Sequence, residues 1–135
     1  MSEYRLVEVE FKDQKVLIEA LQSMGYKPET YQEAKPLEGY QGDKRQQKAH
    51  IIIPRRQVGS ASNDVGFEKV DKQFKLHASA YDKAWRDGGK KLKELKRTYS
   101  EKFVIGRIKK NSKMSLRSRV LTEDGKIKLK VRTMF

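Results

Sequence analysis

Apolar and charged residues alternate at both ends of this chain, and a period of two admits only one kind of local structure. From Tyr4 to Phe11, Val7, Val9 and Phe11 fall on one side and Glu8 and Glu10 on the other. Near the other end, Ile127, Leu129 and Val131 interleave with Lys126, Lys128, Lys130 and Arg132. Successive side chains of a strand point to opposite faces, so each stretch reads as a strand buried on one side. Half-buried strands of this kind build antiparallel sheets with one covered face and one wet face.

Between these ends the pattern changes period. Asp13 offers an N-cap oxygen, and Leu17, Ala20, Leu21 and Met24 form a stripe at helical spacing. Gly25 suits the position just past a helix, and Pro28 prevents continuation. Tyr31 and Leu37 hint at a short strand, and Gly39, Gly42 and Asp43 mark turns. His50 and the run Ile51-Ile52-Ile53 predict a buried strand ended by Pro54. Val58 to Asp64 is a loop by composition. Two short strands are expected at 65–70 and 73–78, turning at Asp71-Lys72. A long basic helix is expected from Tyr81 to about Lys110, with Trp85, Leu92, Leu95, Tyr99 and Phe103 facing inward. Gly88 and Gly89 weaken its start by about 1 kcal/mol each relative to alanine, which predicts a kink or a separate first turn.

Asp124-Gly125 is a type I′ turn dipeptide between Leu116–Val120 and Ile127–Val131, and so predicts a closing hairpin. A two-residue turn would set Arg119 opposite Lys130 and Arg117 opposite Arg132. The expectation is a single α+β domain over residues 1–135: an antiparallel sheet with two helices packed on one face and a C-terminal β-hairpin.

Charge is distributed unevenly over these elements. The chain carries 31 Lys and Arg against 18 Asp and Glu, a formal net charge of +13. From Tyr81 onward there are 18 bases and six acids, so nearly all of the excess lies in the last 55 residues. In the expected register Arg117, Arg119, Lys128, Lys130 and Arg132 crowd one face of the hairpin. Two like charges ~5.5 Å apart in water repel by about 0.7 kcal/mol, which a fold tolerates but has no cause to assemble. A bound polyanion turns the same charges into a favourable term. The candidate nucleic-acid-binding residues are therefore Arg86, Lys90, Lys93, Arg97 and Arg107 on the helix, with Arg117, Arg119, Lys128, Lys130 and Arg132 on the hairpin.

Other chemistries find little support. The chain has no cysteine, which removes disulfides and thiolate metal sites and favours a cytoplasmic address. The opening residues carry acids where an export signal carries bases, and no apolar run approaches the ~20 residues of a membrane span. His50 and His77 are the only histidines, too few for a metal site without a third ligand. No pair of acids has a spacing that fixes a catalytic distance, so no enzyme activity, metal or cofactor is expected. Gly59 to Asp64 lacks the ending of a Walker loop and reads as a polar connection in which Asn63 and Asp64 bond their own turn. Trp85 and Tyr99 are expected in the core rather than on a base-stacking surface. A membrane surface is disfavoured as a partner, because no bulky apolar wedge accompanies the bases.

The order of motifs resembles the uncharacterised family named for hypothetical chloroplast reading frame thirty-five, found in plastids, cyanobacteria, other prokaryotes and some phages. The matching features are Met24-Gly25-Tyr26-Lys27-Pro28, Gly39-Tyr40-Gln41-Gly42, the Ile-rich strand, and Ser62-Asn63-Asp64-Val65-Gly66-Phe67. The helix carrying Leu92 and Tyr99 and the Asp124-Gly125 hairpin complete them. The resemblance implies a small α+β domain and brings no catalytic or binding residues. Through that family's genomic neighbours, which include motor-type ATPases, the resemblance also implies an accessory or adaptor role. Two functions are thus expected. The first is a non-enzymatic nucleic-acid-binding module, RNA before DNA, as a component of a ribonucleoprotein assembly. The second is a protein-interaction adaptor docking an acidic partner such as a motor-type ATPase complex.

Overall fold

The computed structural model describes residues 4–86, 88–110, 114–121 and 127–133, with side chains for 11–86 and 88–108. The chain runs β1 (Tyr4–Phe11), α1 (Gln14–Ser23), β2 (Glu29–Glu38), β3 (Lys44–Ile53), α2 (Arg55–Val58), β4 (Val65–Val70) and β5 (Gln73–Ser79). A 3-10 turn (Lys83–Trp85), α3 (Lys90–Lys110), β6 (Met114–Leu121) and β7 (Ile127–Thr133) complete it. The first five strands make one antiparallel sheet in the order β1-β5-β4-β3-β2, and β6 and β7 pair separately as a hairpin that lies against α3.

The alternating strands set the sheet, and one register row shows how. Ile51 pairs with Phe67, Phe67 with Leu76, and Leu76 with Val7, across β3, β4, β5 and β1. Ile51, Phe67 and Leu76 are fully buried, in one cluster with Leu17, Ala20 and Leu21 of α1 and Leu92, Leu95 and Tyr99 of α3. Both helices therefore cover the same face of the sheet. Among the described residues the other side carries a small cluster, Leu37, Ala49 and Ile52, with Tyr31 packed against it.

The ends of α1 follow local chemistry. Asp13 Oδ1 accepts the Val16 N–H at 3.2 Å, and so satisfies one of the donors that a helix start leaves open. At the other end Gly25 takes φ 93°, a left-handed angle that costs glycine little. That lets Tyr26 N reach the Leu21 carbonyl at 3.1 Å and Gly25 N reach Gln22 at 3.0 Å. A second tie comes from far away in sequence. The Tyr99 hydroxyl oxygen accepts from Lys12 N at 3.1 Å and Asp13 N at 3.0 Å, while its ring packs edge-on to Phe11.

Three expectations change. The strand around Tyr31 and Leu37 is ten residues long, not short; it is bulged twice against β3, which hides its alternation. The segment after Pro54 contains the four-residue helix α2 before the loop to Asp64. The long helix starts at Lys90 rather than Tyr81, so Trp85 reaches the core from the 3-10 turn. The separate first turn has its cause in the paired glycines. Gly88 adopts φ 78°, and a Cβ on Gly89 would run into the carbonyl oxygens of Lys83 and Ala84. They are a break between two elements, not a weak point inside one.

Tyr99→Phe keeps the ring and removes the oxygen, leaving the Lys12 and Asp13 amides without their acceptor. It is expected to destabilise the protein by about 1–3 kcal/mol in urea titration with an unchanged slope. An unshifted midpoint would show that water replaces the hydroxyl at no cost.

Candidate anion-binding surface

The helix α3 divides its side chains sharply between core and solvent. Leu92, Leu95 and Tyr99 are buried, and Phe103 is half-buried against them. Its most exposed positions are Lys90, Lys93, Lys96, Ser100, Val104 and Arg107, each three or four residues from the next. That spacing is one continuous stripe on a helix, about 25 Å long at 1.5 Å per residue. Four of the six are cations and none is an acid. The helix's carboxylates, Glu94 and Glu101, lie on the half-exposed flank. There Glu94 meets Lys91 across 3.7 Å. Arg107 lies over the Phe103 ring, 5.1 Å from its centroid.

The opening turn carries Lys90, Lys91 and Lys93 and no acid. This is the positive end of the helix dipole, where a cation costs about 0.3–1 kcal/mol and an anion gains as much. Stability alone would place Asp or Glu there.

Of the five helix-region bases singled out from sequence, Lys90, Lys93 and Arg107 lie on the exposed stripe. Arg97 sits on the half-buried flank. Arg86 has a structural task, since its Nη1 donates to the Ala80 carbonyl at 3.0 Å and ties down the loop before α3. Lys96 belongs to the stripe and was missed, although helical spacing from Lys93 and Ser100 would have found it.

The hairpin does not take the expected register. Arg119 pairs with Leu129, Lys130 with Ser118, Lys128 with Val120, and Arg132 with Ser115, with an irregularity between Leu116 and Ser118. The closing pair is Leu121 with Ile127, so the pairing is one residue out of step with a two-residue Asp124-Gly125 turn. Arg119 therefore does not stand opposite Lys130, nor Arg117 opposite Arg132. The Asp124-Gly125 turn and the side chains of Arg117, Arg119, Lys128, Lys130 and Arg132 lie outside the described residues.

The loop before β4 holds the densest polar cluster, and its bonds are long-range rather than confined to one turn. Asp64 is 6 % exposed, yet both its oxygens are used: Oδ2 accepts from Glu38 N at 2.8 Å and Oδ1 from Arg55 N at 2.7 Å. Its own amide donates to the Glu38 carbonyl at 2.9 Å. Asn63 Oδ1 accepts from Tyr40 N at 2.9 Å, and Asn63 Nδ2 donates to Asp82 Oδ2 at 3.2 Å. Burial pushes the Asp64 carboxyl above its ordinary pKa, while the Glu38 and Arg55 amides pull it back. The whole cluster clamps the ends of β2, β3 and β5 to the start of β4.

The histidines also serve neighbouring strands: His50 Nδ1 accepts from Lys69 N at 3.0 Å, and His77 Nε2 meets Glu68 Oε1 at 2.9 Å. Among the described residues no group of three or more His, Asp or Glu is placed to hold a metal ion. Among them, too, no helix is long and apolar enough to cross a membrane.

Fold and surface together define a small antiparallel α+β protein with a cationic stripe on its longest helix. The chain belongs to the family described as protein of unknown function (DUF1257), whose model matches residues 20–130. An uncharacterised domain family is also what the sequence motifs pointed to. No curated protein and no solved structure matches the chain.

In Asp64→Asn the new amide must turn its N–H₂ toward one of two backbone donors, at a cost of about 1–3 kcal/mol in chemical denaturation. The folded-state pKa of Asp64 is raised, so its linked stability is fullest below the unfolded value of 3.8 and is lost as pH rises through the folded value. The stability gap between the wild type and Asp64→Asn should therefore narrow as pH climbs through that window. A gap that widens would reverse the assigned direction.

Proposed function

We propose that this protein is a non-enzymatic nucleic-acid-binding module that holds phosphates along the exposed stripe of α3. The carrying observation is the stripe itself, with Lys90, Lys93, Lys96 and Arg107 on the most exposed line of the helix and both helix carboxylates off it. Its lysine-rich start at the positive helix end adds to the same field. The hairpin bases extend the charge in sequence, adding to α3 a strand pair that lies beside it.

The contacts such a stripe makes are to backbone phosphate, which positions a polymer without reading it. RNA is the expected polymer, bound with little base specificity, as one component of a ribonucleoprotein assembly. The buried carboxylate of Asp64 accepts from backbone amides, and that use supports a structural rather than a catalytic part for it.

Binding of a labelled RNA should weaken by about 0.7 log units per log unit of salt for every phosphate neutralised, and the combined change Lys90→Glu and Lys93→Glu should flatten that slope. Failure to bind at low salt, or a flat salt response, would retire the proposal. Pull-down with and without nuclease gives a second check. A protein partner that survives nuclease would favour an adaptor docking an acidic protein.

A further inference from the structure

Among the described residues the core accounts for Trp85 and Tyr99, two aromatics of the basic segment, and leaves Tyr81 as the most exposed ring. Tyr81 is 72 % exposed, against 39 % for Tyr40 and 36 % for Val104, the other large apolar side chains that are exposed among the described residues. Among the described residues no ring or cation packs on it, and its backbone N–H, not its side chain, is what the fold engages. An aromatic side chain left this far in water forgoes the burial that rings usually contribute.

The backbone beneath it is tightly held. Tyr81 N donates to Ser79 Oγ at 3.2 Å, and Asp82 N donates to the Ser79 carbonyl at 3.0 Å. Arg86 clamps the Ala80 carbonyl from the other side. The Asp82 carboxylate accepts from Asn63, and Trp85 N donates to the Asp82 carbonyl at 2.9 Å, with the indole buried below. The ring is thus presented from a fixed platform, so little order is lost when something settles on it.

The platform also adjoins the cationic stripe. One residue separates Tyr81 from Lys83, a span of at most about 7 Å, and the carbonyl oxygen of Lys83 lies against the Gly89 position from which α3 starts. The next residue is Lys90. An exposed aromatic ring therefore stands within a nucleotide or two of a line of lysines that opens at the positive end of a helix.

We propose that Tyr81 is a base-stacking residue, and that the polymer taken by the α3 stripe is single-stranded. This rests on the nucleic-acid function proposed above and names its substrate class. A base can lie on a ring only when it is out of the duplex stack, as in single strands and RNA loops. Lys90 and Lys93 then hold the phosphates that follow the stacked nucleotide. Stacking on Tyr81 favours any base, because every base offers a π-face, so the site stays tolerant of sequence.

Fluorescence anisotropy with labelled oligouridine, oligothymidine and a duplex of equal length tests this on the full chain. The wild type should bind either single strand more tightly than the duplex. Tyr81→Ala should weaken single-strand binding by about 5- to 100-fold, leave duplex binding within about twofold, and leave the salt slope unchanged, since no charge is lost. Tyr81→Phe keeps the ring and should bind as the wild type does. Tyr81→Ala should melt with the wild type, so a binding loss is not a folding loss. If the wild type binds but Tyr81→Ala binds equally well, or loses single strand and duplex alike, the stacking role is overturned and the phosphate-binding function stands. If the wild type binds neither polymer at low salt, both fall together.

Discussion

A single buried carboxylate closes the loops on which the sheet depends. Asp64 accepts amides from Glu38 and Arg55, residues 26 and 9 positions away, at the ends of β2 and just past β3. Peptide N–H groups taken out of water must find an acceptor, and strand ends have no ladder partner to supply one. With Asn63 bonding Tyr40 and Asp82 alongside, two adjacent residues draw in three separate chain segments. The sheet order β1-β5-β4-β3-β2 needs those segments held at one corner, because β2 leaves the sheet there and the loop after α2 returns to it. Asp82 passes the same constraint on to the 3-10 turn, and from there to the start of α3.

That start is where structure and charge meet. Inward, α3 gives Leu92, Leu95 and Tyr99 to the core, and Tyr99 also caps the approach to α1. Outward, it shows three lysines, an arginine, a serine and a valine. One helix thus serves packing and surface with largely separate residues, and the two sets meet where Arg107 lies over the Phe103 ring. Lys90, Lys93 and Lys96 can therefore be changed without touching the core.

Much of the fold was legible because its signals are local. The alternation of β1, the Asp13 cap and Gly25 stop of α1, and the Asp71-Lys72 turn each depend on a few neighbouring residues; Asp71 does take a left-handed φ of 59°. What was not legible is set by partners far away. The bulges of β2 erase its alternation, and α2 is too short to have a period. Trp85 lies seven residues before Leu92, a step that fits a helix even though a break intervenes. The hairpin register turned on the length of its connection, where one residue changes every cross-strand pair. At the surface, the cations of α3 were visible as composition, and their division into an outer stripe and a paired flank needed the rotation of the helix. Tyr81 had no signal beyond its place ahead of that helix, and the bonds of Asn63 and Asp64 had none.

The lysines gathered where α3 begins give the molecule an unusual relation to its surroundings. Left alone, they push against one another and against the dipole beneath them, and the fold carries that tension. Whatever negative group comes to rest there relieves it. Folded protein then becomes easier to keep by mass action, and the occupied form is the sturdier one. An anion held there would in that sense partly chaperone the chain.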